Sequence, residues 1–130
     1  MMKNKKIPKP TESELEILQI LWQNGPSTVR DVHEELAAHK DIRYTTTLKN
    51  MQNMVQKDML TRDEESRSHI YKPVLQQSET QKMLLDRFLD NTFGGSAMSL
   101  VMQALGHRKT SKEELEQIKA LINKLEGGNK

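Results

Sequence analysis

The sequence predicts a mainly α fold with one small β-hairpin, arranged as a compact head over residues 11–75 and a three-helix tail over residues 76–130, behind a basic flexible arm over residues 1–10. Three observations predict it. Apolar residues recur at helical spacing in six separate stretches. Two short extended runs interrupt that pattern between residues 60 and 74. Gly, Pro and capping residues punctuate the boundaries between stretches.

Composition limits what can be built. At 130 residues the chain is one ordinary domain, or one small domain with an appendage. Hydrophobic residues make up 35% and aromatic residues only 4%, so aliphatic and Met side chains must fill the core. Cysteine is absent, which excludes disulfides, thiolate metal sites and a Cys nucleophile. No apolar run approaches the roughly 20 residues of a membrane span, so no membrane partner is expected. Lys3, Lys5, Lys6 and Lys9 have no apolar stretch behind them, unlike a signal peptide, and a cytoplasmic protein is the expectation. Net charge is +2, and residues 1–75 hold 12 Lys/Arg against 11 Asp/Glu, a net of +1. A basic arm of this kind can follow phosphates, and it can equally be a solubilising tail; charge alone leaves both open.

The first helix opens at Thr11-Glu-Ser-Glu14, a capping box in which the Thr side chain caps the backbone and the Glu reaches back. Leu15, Leu18, Leu21 and Trp22 carry it to about Gln23. Asn24-Gly25-Pro26 stops it, because Gly accepts a left-handed helix end and Pro cannot continue. Ser27 is then expected to cap a second helix whose buried face is Val29, Val32 and Leu36, with His33 as a boundary side chain beside it.

A loop over residues 39–43 leads to a third helix, from near Tyr44 to about Asp58. Leu48, Met51, Met54 and Val55 gather on one side of it, and Thr45, Thr46, Lys49, Asn50 and Asn53 on the other. The second face has no carboxylate, one cation, and short hydroxyl and amide groups. Such side chains can approach phosphates and base edges closely, and Asn can pair bidentately with adenine. An ordinary solvated face is the plainer reading, although such faces usually mix Glu and Lys.

After Met59 the pattern turns extended. Leu60-Thr-Arg62 and His69-Ile-Tyr-Lys-Pro-Val74 read as strands around the polar turn Asp63-Glu64-Glu65-Ser66-Arg67. Two strands and a charged loop directly after three helices make the wing of a winged helix-turn-helix, and an isolated hairpin is marginal unless it leans on those helices. Arg67 and His69 are placed to touch a nucleic-acid backbone or minor groove. Balancing Asp63, Glu64 and Glu65 is an equal alternative for Arg67.

In the tail, Ser78 opens a helix carrying Met83, Leu84, Phe88 and Leu89 to near Thr92. Phe93-Gly-Gly-Ser96 breaks it, and Ser96 caps a segment over residues 97–105 that includes Leu100. Ser111-Lys-Glu-Glu114 is a second capping box, opening a helix with Leu115, Ile118, Leu121, Ile122 and Leu125. Short amphipathic helices cannot bury such faces alone. A second copy of the chain is the simplest cover, with Leu84, Phe88, Leu100, Leu115, Ile118, Leu121 and Ile122 as the dimer interface; packing of the tail on its own head is the alternative.

Tyr44-Thr-Thr-Thr-Leu-Lys49, Met59-Leu60, Ser68-His-Ile-Tyr71 and Phe93-Gly-Gly-Ser-Ala97 ahead of Leu100-Val101 resemble the BlaI/MecI/CopY family of bacterial repressors. The similarity runs from about Thr11 to Leu125, and its specificity lies in the order and spacing of the motifs together. The resemblance implies a winged-helix homodimer that binds double-stranded palindromic operator DNA and blocks transcription. It implies that the helix opening with the Thr-Thr pair enters the major groove, and it carries Thr45, Thr46 and Lys49 over as contacts. Asn50 and Asn53 rest on the helical wheel alone, and Arg67 on its place in the turn.

Two departures bear on release from DNA. Copper-responsive members use a cysteine-rich carboxy-terminal metal site, and this chain has no Cys. Resistance-type members are cut by a membrane sensor protease at an Asn-Phe bond in the tail, a further partner that the resemblance suggests. The corresponding Leu100-Val-Met-Gln-Ala-Leu105 lacks that bond, so the inducing signal does not transfer.

No cofactor, metal or catalytic residue is expected. His33, His39, His69 and His107 fall in different elements, Gly94-Gly95 follows a helix rather than a strand, and no Ser sits in a nucleophile elbow. A winged-helix adaptor that binds protein instead of DNA is the competing function, since fold alone does not decide between them.

Overall fold

The computed structural model describes residues 7–65 and 67–128. Along these residues the order is α1 (Glu12–Asn24), α2 (Val29–Ala37), α3 (Tyr44–Gln56), β1 (Leu60–Asp63), β2 (Ile70–Pro73), α4 (Gln77–Phe93), α5 (Ala97–His107) and α6 (Lys112–Gly128). The chain divides into two compact units, one up to Leu85 and one from Asp86 onward.

In the first unit, α1 begins as its capping box requires. The Glu14 N–H donates to Thr11 Oγ1 at 3.1 Å, and the Thr11 N–H donates to Glu14 Oε1 at 3.0 Å. Gly25, with φ +86°, ends the helix, and its N–H reaches Leu21 O. The expectation that Ser27 caps α2 is wrong by one residue. Thr28 is the N-cap, in a capping box with Asp31. Ser27 is held by other partners: its hydroxyl donates to Gly25 O at 2.8 Å, and its backbone exchanges two hydrogen bonds with Tyr71 at 3.1 and 2.8 Å. A backbone held in that extended bridge cannot also turn into a helix.

α3 ends at Gln56, two residues before the expected Asp58. Asp58 instead takes the left-handed conformation, φ +63°. Its N–H meets Val55 O, and the next N–H, of Met59, meets Met54 O at 2.9 Å. These paired contacts form a Schellman end with Asp in the position usually held by Gly. Chain reversal there sends β1 back against α3. β1 and β2 pair antiparallel in the register Leu60↔Pro73, Arg62↔Tyr71.

Aliphatic and Met side chains do fill the core: Ile17, Leu18, Leu21, Val32, Met51, Met54, Met59 and Leu60 are all buried, and the one aromatic among the fully buried residues is Tyr71. Leu48 and Val55, expected inside, are half-buried, while Thr47 is fully buried. Thr47 turns inward because its hydroxyl has a partner there, His33 Nδ1 at 2.9 Å. The Trp22 indole N–H donates to Leu75 O at 2.9 Å and closes the unit beyond β2. Ile7 packs against this core and Pro10 is buried, so packed residues begin inside the stretch that charge marks as the arm. Lys3, Lys5 and Lys6 lie outside the described residues; Lys9 is exposed.

α4 starts in the first unit, where Thr80 is buried, and ends in the second. The expected head boundary at residue 75 therefore falls ten residues before the division between the compact units, from 75 to 85. The second unit holds α5, capped by Ser96 as expected, and α6, where Ser111 Oγ accepts from the Glu114 N–H at 3.0 Å. Neither α5 nor α6 has a buried residue. None of the described helices is long and apolar enough to cross a membrane.

Candidate nucleic-acid interface

α2, a short connection and α3 form the helix-turn-helix, and β1 and β2 with their loop form the wing beside it. The surface of α3 is set by what the core takes. Thr47, Met51 and Met54 are buried. Thr45, Lys49, Gln52 and Gln56 follow at helical spacing on the opposite side, all exposed, with Thr46 and Asn53 exposed next to them. Asn50 is half-buried at the edge of this face rather than on it. Gln52 and Gln56 belong to the face and are missing from the sequence reading, although the same wheel contains them.

No acidic residue occurs anywhere in α3, whereas α1 carries Glu12, Glu14 and Glu16, and α2 carries Asp31, Glu34 and Glu35. The field over the α3 face is therefore set by Lys49 and by the helix start. Arg43 is the N-cap residue and makes no side-chain capping bond, so the first N–H groups of α3 remain available to an acceptor.

α3 is oriented through α2. Beyond the His33–Thr47 bond, the His33 ring meets the Tyr44 ring edge-on at 5.5 Å between centroids. The Arg30 guanidinium lies 5.7 Å from the centroid of the same Tyr44 ring. Arg30, Tyr44, His33 and Thr47 thus link the start of α2 to the first turn of α3. Sequence reasoning flagged only the histidine.

A cleft of about 350 Å³ opens between α2, α3 and the wing. Arg30, Tyr44, Gln52, Arg62, Arg67 and His69 are among its lining residues. Arg67, expected at the interface, is exposed there, and Arg62 is an addition that only the strand register supplies, since it stands opposite Tyr71 on β2. Arg62 Nε donates to Glu64 Oε2 at 3.1 Å, and Nη2 donates to the same oxygen. That hydrogen-bonded pair raises the Arg62 pKa, with Tyr71 adding in the same direction, and it lowers the Glu64 pKa.

The comparisons agree with this architecture. A family model described as penicillinase repressor matches residues 10–124. The chain is 24% identical to the penicillinase repressor of Bacillus licheniformis over 118 residues, 91% of this chain and 92% of that one. It is 25% identical over 126 residues to the transcriptional regulator BlaI of Mycobacterium tuberculosis, covering 95% and 90% of the two chains. To the methicillin resistance regulatory protein MecI of Staphylococcus aureus it is 20% identical over 114 residues, 88% and 93%. Among solved structures, the DNA-binding domain of the repressor BlaI superposes with a TM-score of 0.51 at 25% identity, covering 58% of this chain and 93% of that one.

Proposed function

The chain belongs to the penicillinase repressor family, and we propose on that footing that it represses transcription as a homodimer seated on a palindromic operator in the cytoplasm. The observation that carries DNA binding to particular residues is the face of α3. It is exposed, free of carboxylates, and lined by hydroxyl, amide and ammonium groups at groove-reading spacing. An adaptor that binds protein has no need to exclude acidic residues from this one helix. Lys49 is the phosphate or guanine contact. Thr45 and Thr46 present hydroxyls and backbone N–H groups to phosphate at the helix start. Asn53, one to two turns further in, is the adenine reader, with Asn50 at the margin and Arg67 reaching from the wing.

Release takes its own route. A protease that cuts at an Asn-Phe bond finds none in α5, which reads Leu100-Val-Met-Gln-Ala-Leu105 over the corresponding stretch. A sensor protease acting on this chain therefore needs another cleavage site.

The test is a titration of full-length protein against its own selected genomic fragments and against scrambled duplexes, over a range of salt. Binding to both should weaken steeply with ionic strength, because phosphate contacts release counterions. Thr46→Ala should weaken both duplexes alike. Asn53→Ala should lose roughly 1–3 kcal/mol on the selected fragment at one base position and leave the scrambled duplex nearly unaffected. A chain that ignores DNA at every salt concentration is the adaptor instead.

A further inference from the structure

The wing carries a contradiction for a DNA-binding element. Asp63, Glu64 and Glu65 stand against Arg62 and Arg67, so over residues 62–67 two cations face three carboxylates, a net of −1. Such a tip repels phosphates unless its charges are sorted by geometry. In the structure they are sorted. Arg62 and Arg67 line the cleft beside α3, together with Arg30, Gln52 and the Tyr44 ring. Asp63 and Glu65 are not among the cleft-lining residues, and Asp63 Oδ1 accepts the Glu65 N–H at 3.0 Å within the turn. Among the described residues neither Arg30 nor Arg67 has a carboxylate partner, and Arg62 has one, Glu64.

We propose that this cleft seats one phosphate of the DNA backbone, and that Glu64 is a built-in competitor that occupies Arg62 until the phosphate displaces it. This rests on the reading that the exposed face of α3 lies in the groove, which brings the neighbouring strand past the wing. Both Arg62 donors converge on a single Glu64 oxygen, the same two-donor arrangement that a phosphate oxygen accepts. The Glu64 side chain is 61% exposed, so the pair is weak and its carboxylate can swing into water at little cost. A phosphate in the cleft meets Arg62 together with Arg30, from the first turn of α2, and Arg67, from the other side of the wing. Glu64 thereby sets how strongly the wing grips any duplex, without touching a base.

The experiment measures binding of the full chain and its variants to a random-sequence 30-base-pair duplex as potassium chloride is varied. Arg62→Gln should weaken binding and flatten the slope of log K against log salt by about 0.9, one phosphate contact. Arg30→Gln should flatten it in the same direction. Glu64→Gln, at an exposed tip that folding does not depend on, should tighten binding roughly two- to fivefold, the strength of an exposed ion pair. In the Arg62→Gln background that gain should vanish. If the gain from Glu64→Gln is the same with and without Arg62, Glu64 acts only by long-range repulsion and the competitor role is wrong. If Arg62→Gln and Arg30→Gln both keep the wild-type affinity and slope, no phosphate sits in the cleft. Wild-type protein that binds no duplex overturns the DNA-binding reading itself, a result separate from either of these.

Discussion

Two single residues of the head carry effects that stability measurements can isolate. Glu14 is buried, 6% exposed, and holds three partners: the Thr11 N–H, the Thr11 hydroxyl's capped turn, and Lys57 Nζ at 2.6 Å from the end of α3. Burial pushes its pKa up, but Lys57 and the hydrogen bonds around Thr11 together outweigh burial and leave it below the ordinary 4.5. A depressed carboxylate stabilises the fold above its unfolded value and loses that contribution as pH falls through the folded one. Glu14→Gln keeps the shape of the capping box and removes the ion pair. It should cost less than about 1 kcal/mol at pH 7, since Lys57 is half-exposed, and the gap to wild type should close below pH 4.5. Urea denaturation from pH 7 to pH 3 checks this; a gap that does not change with pH places the pair outside the energetics of folding. Asp58 is the second such residue. A left-handed conformation strains a non-glycine residue, and Asp58→Gly removes that strain while making the unfolded chain freer, so stability should rise by about 0.5–1 kcal/mol. A melting temperature at or below that of wild type would mean that the aspartate side chain stabilises the turn by more than its strain costs.

At the scale of elements, the wing holds its place through Tyr71. β1 and β2 are four residues each, too short to be stable as a hairpin in water. Tyr71 is 1% exposed inside the core, and its backbone is bonded to Ser27 in the turn between α1 and α2. One residue therefore fastens the wing to the helices through both side chain and main chain. Tyr71→Ala should cost about 3–5 kcal/mol, as truncation of a large buried aromatic does. Amide exchange should then accelerate over β1 and β2 while α1 keeps its protection relative to global unfolding. Uniform acceleration across the head would show that the wing and helices open as one unit. α3 is steered just as indirectly: the Thr47 hydroxyl and the Tyr44 ring, both engaged by His33 on α2, orient the helix whose opposite face is proposed to read DNA.

At the scale of the molecule, the apolar faces of the tail await a partner. Phe88 is 49% exposed and Leu121 55% exposed, and Met98, Val101, Met102, Leu115, Ile122 and Leu125 are exposed as well. Contiguous apolar surface on this scale marks an interaction site, and a second copy is its simplest occupant. Phe88→Ala and Leu121→Ala should then weaken self-association, by about 2–5 kcal/mol where the second copy buries the side chain fully. Melting should become more concentration-dependent in both variants. Sedimentation of wild type and variants at micromolar concentration decides it: a wild-type monomer there removes the second copy from the reading. A head intended to fold by itself should end after Leu85 rather than at residue 75, because Leu75 receives the Trp22 hydrogen bond and Thr80 is buried.

Local pattern alone determined the helices, their caps at Thr11, Ser96 and Ser111, the wing, and the polar face of α3. These depend on residues three or four apart, or on alternation along a strand, and such spacings are complete within a short window of sequence. Tertiary structure decided what depends on residues far apart in the chain. Ser27 lost its capping role to Tyr71, 44 positions on, and Thr47 went inward to meet His33, 14 positions back. The cleft was equally invisible beforehand, because Arg30, Gln52 and Arg62 share no period and meet only when strand register and helix packing bring them together. Periodicity tells which way a side chain points from its own element; what it finds there depends on the packing of other elements against it.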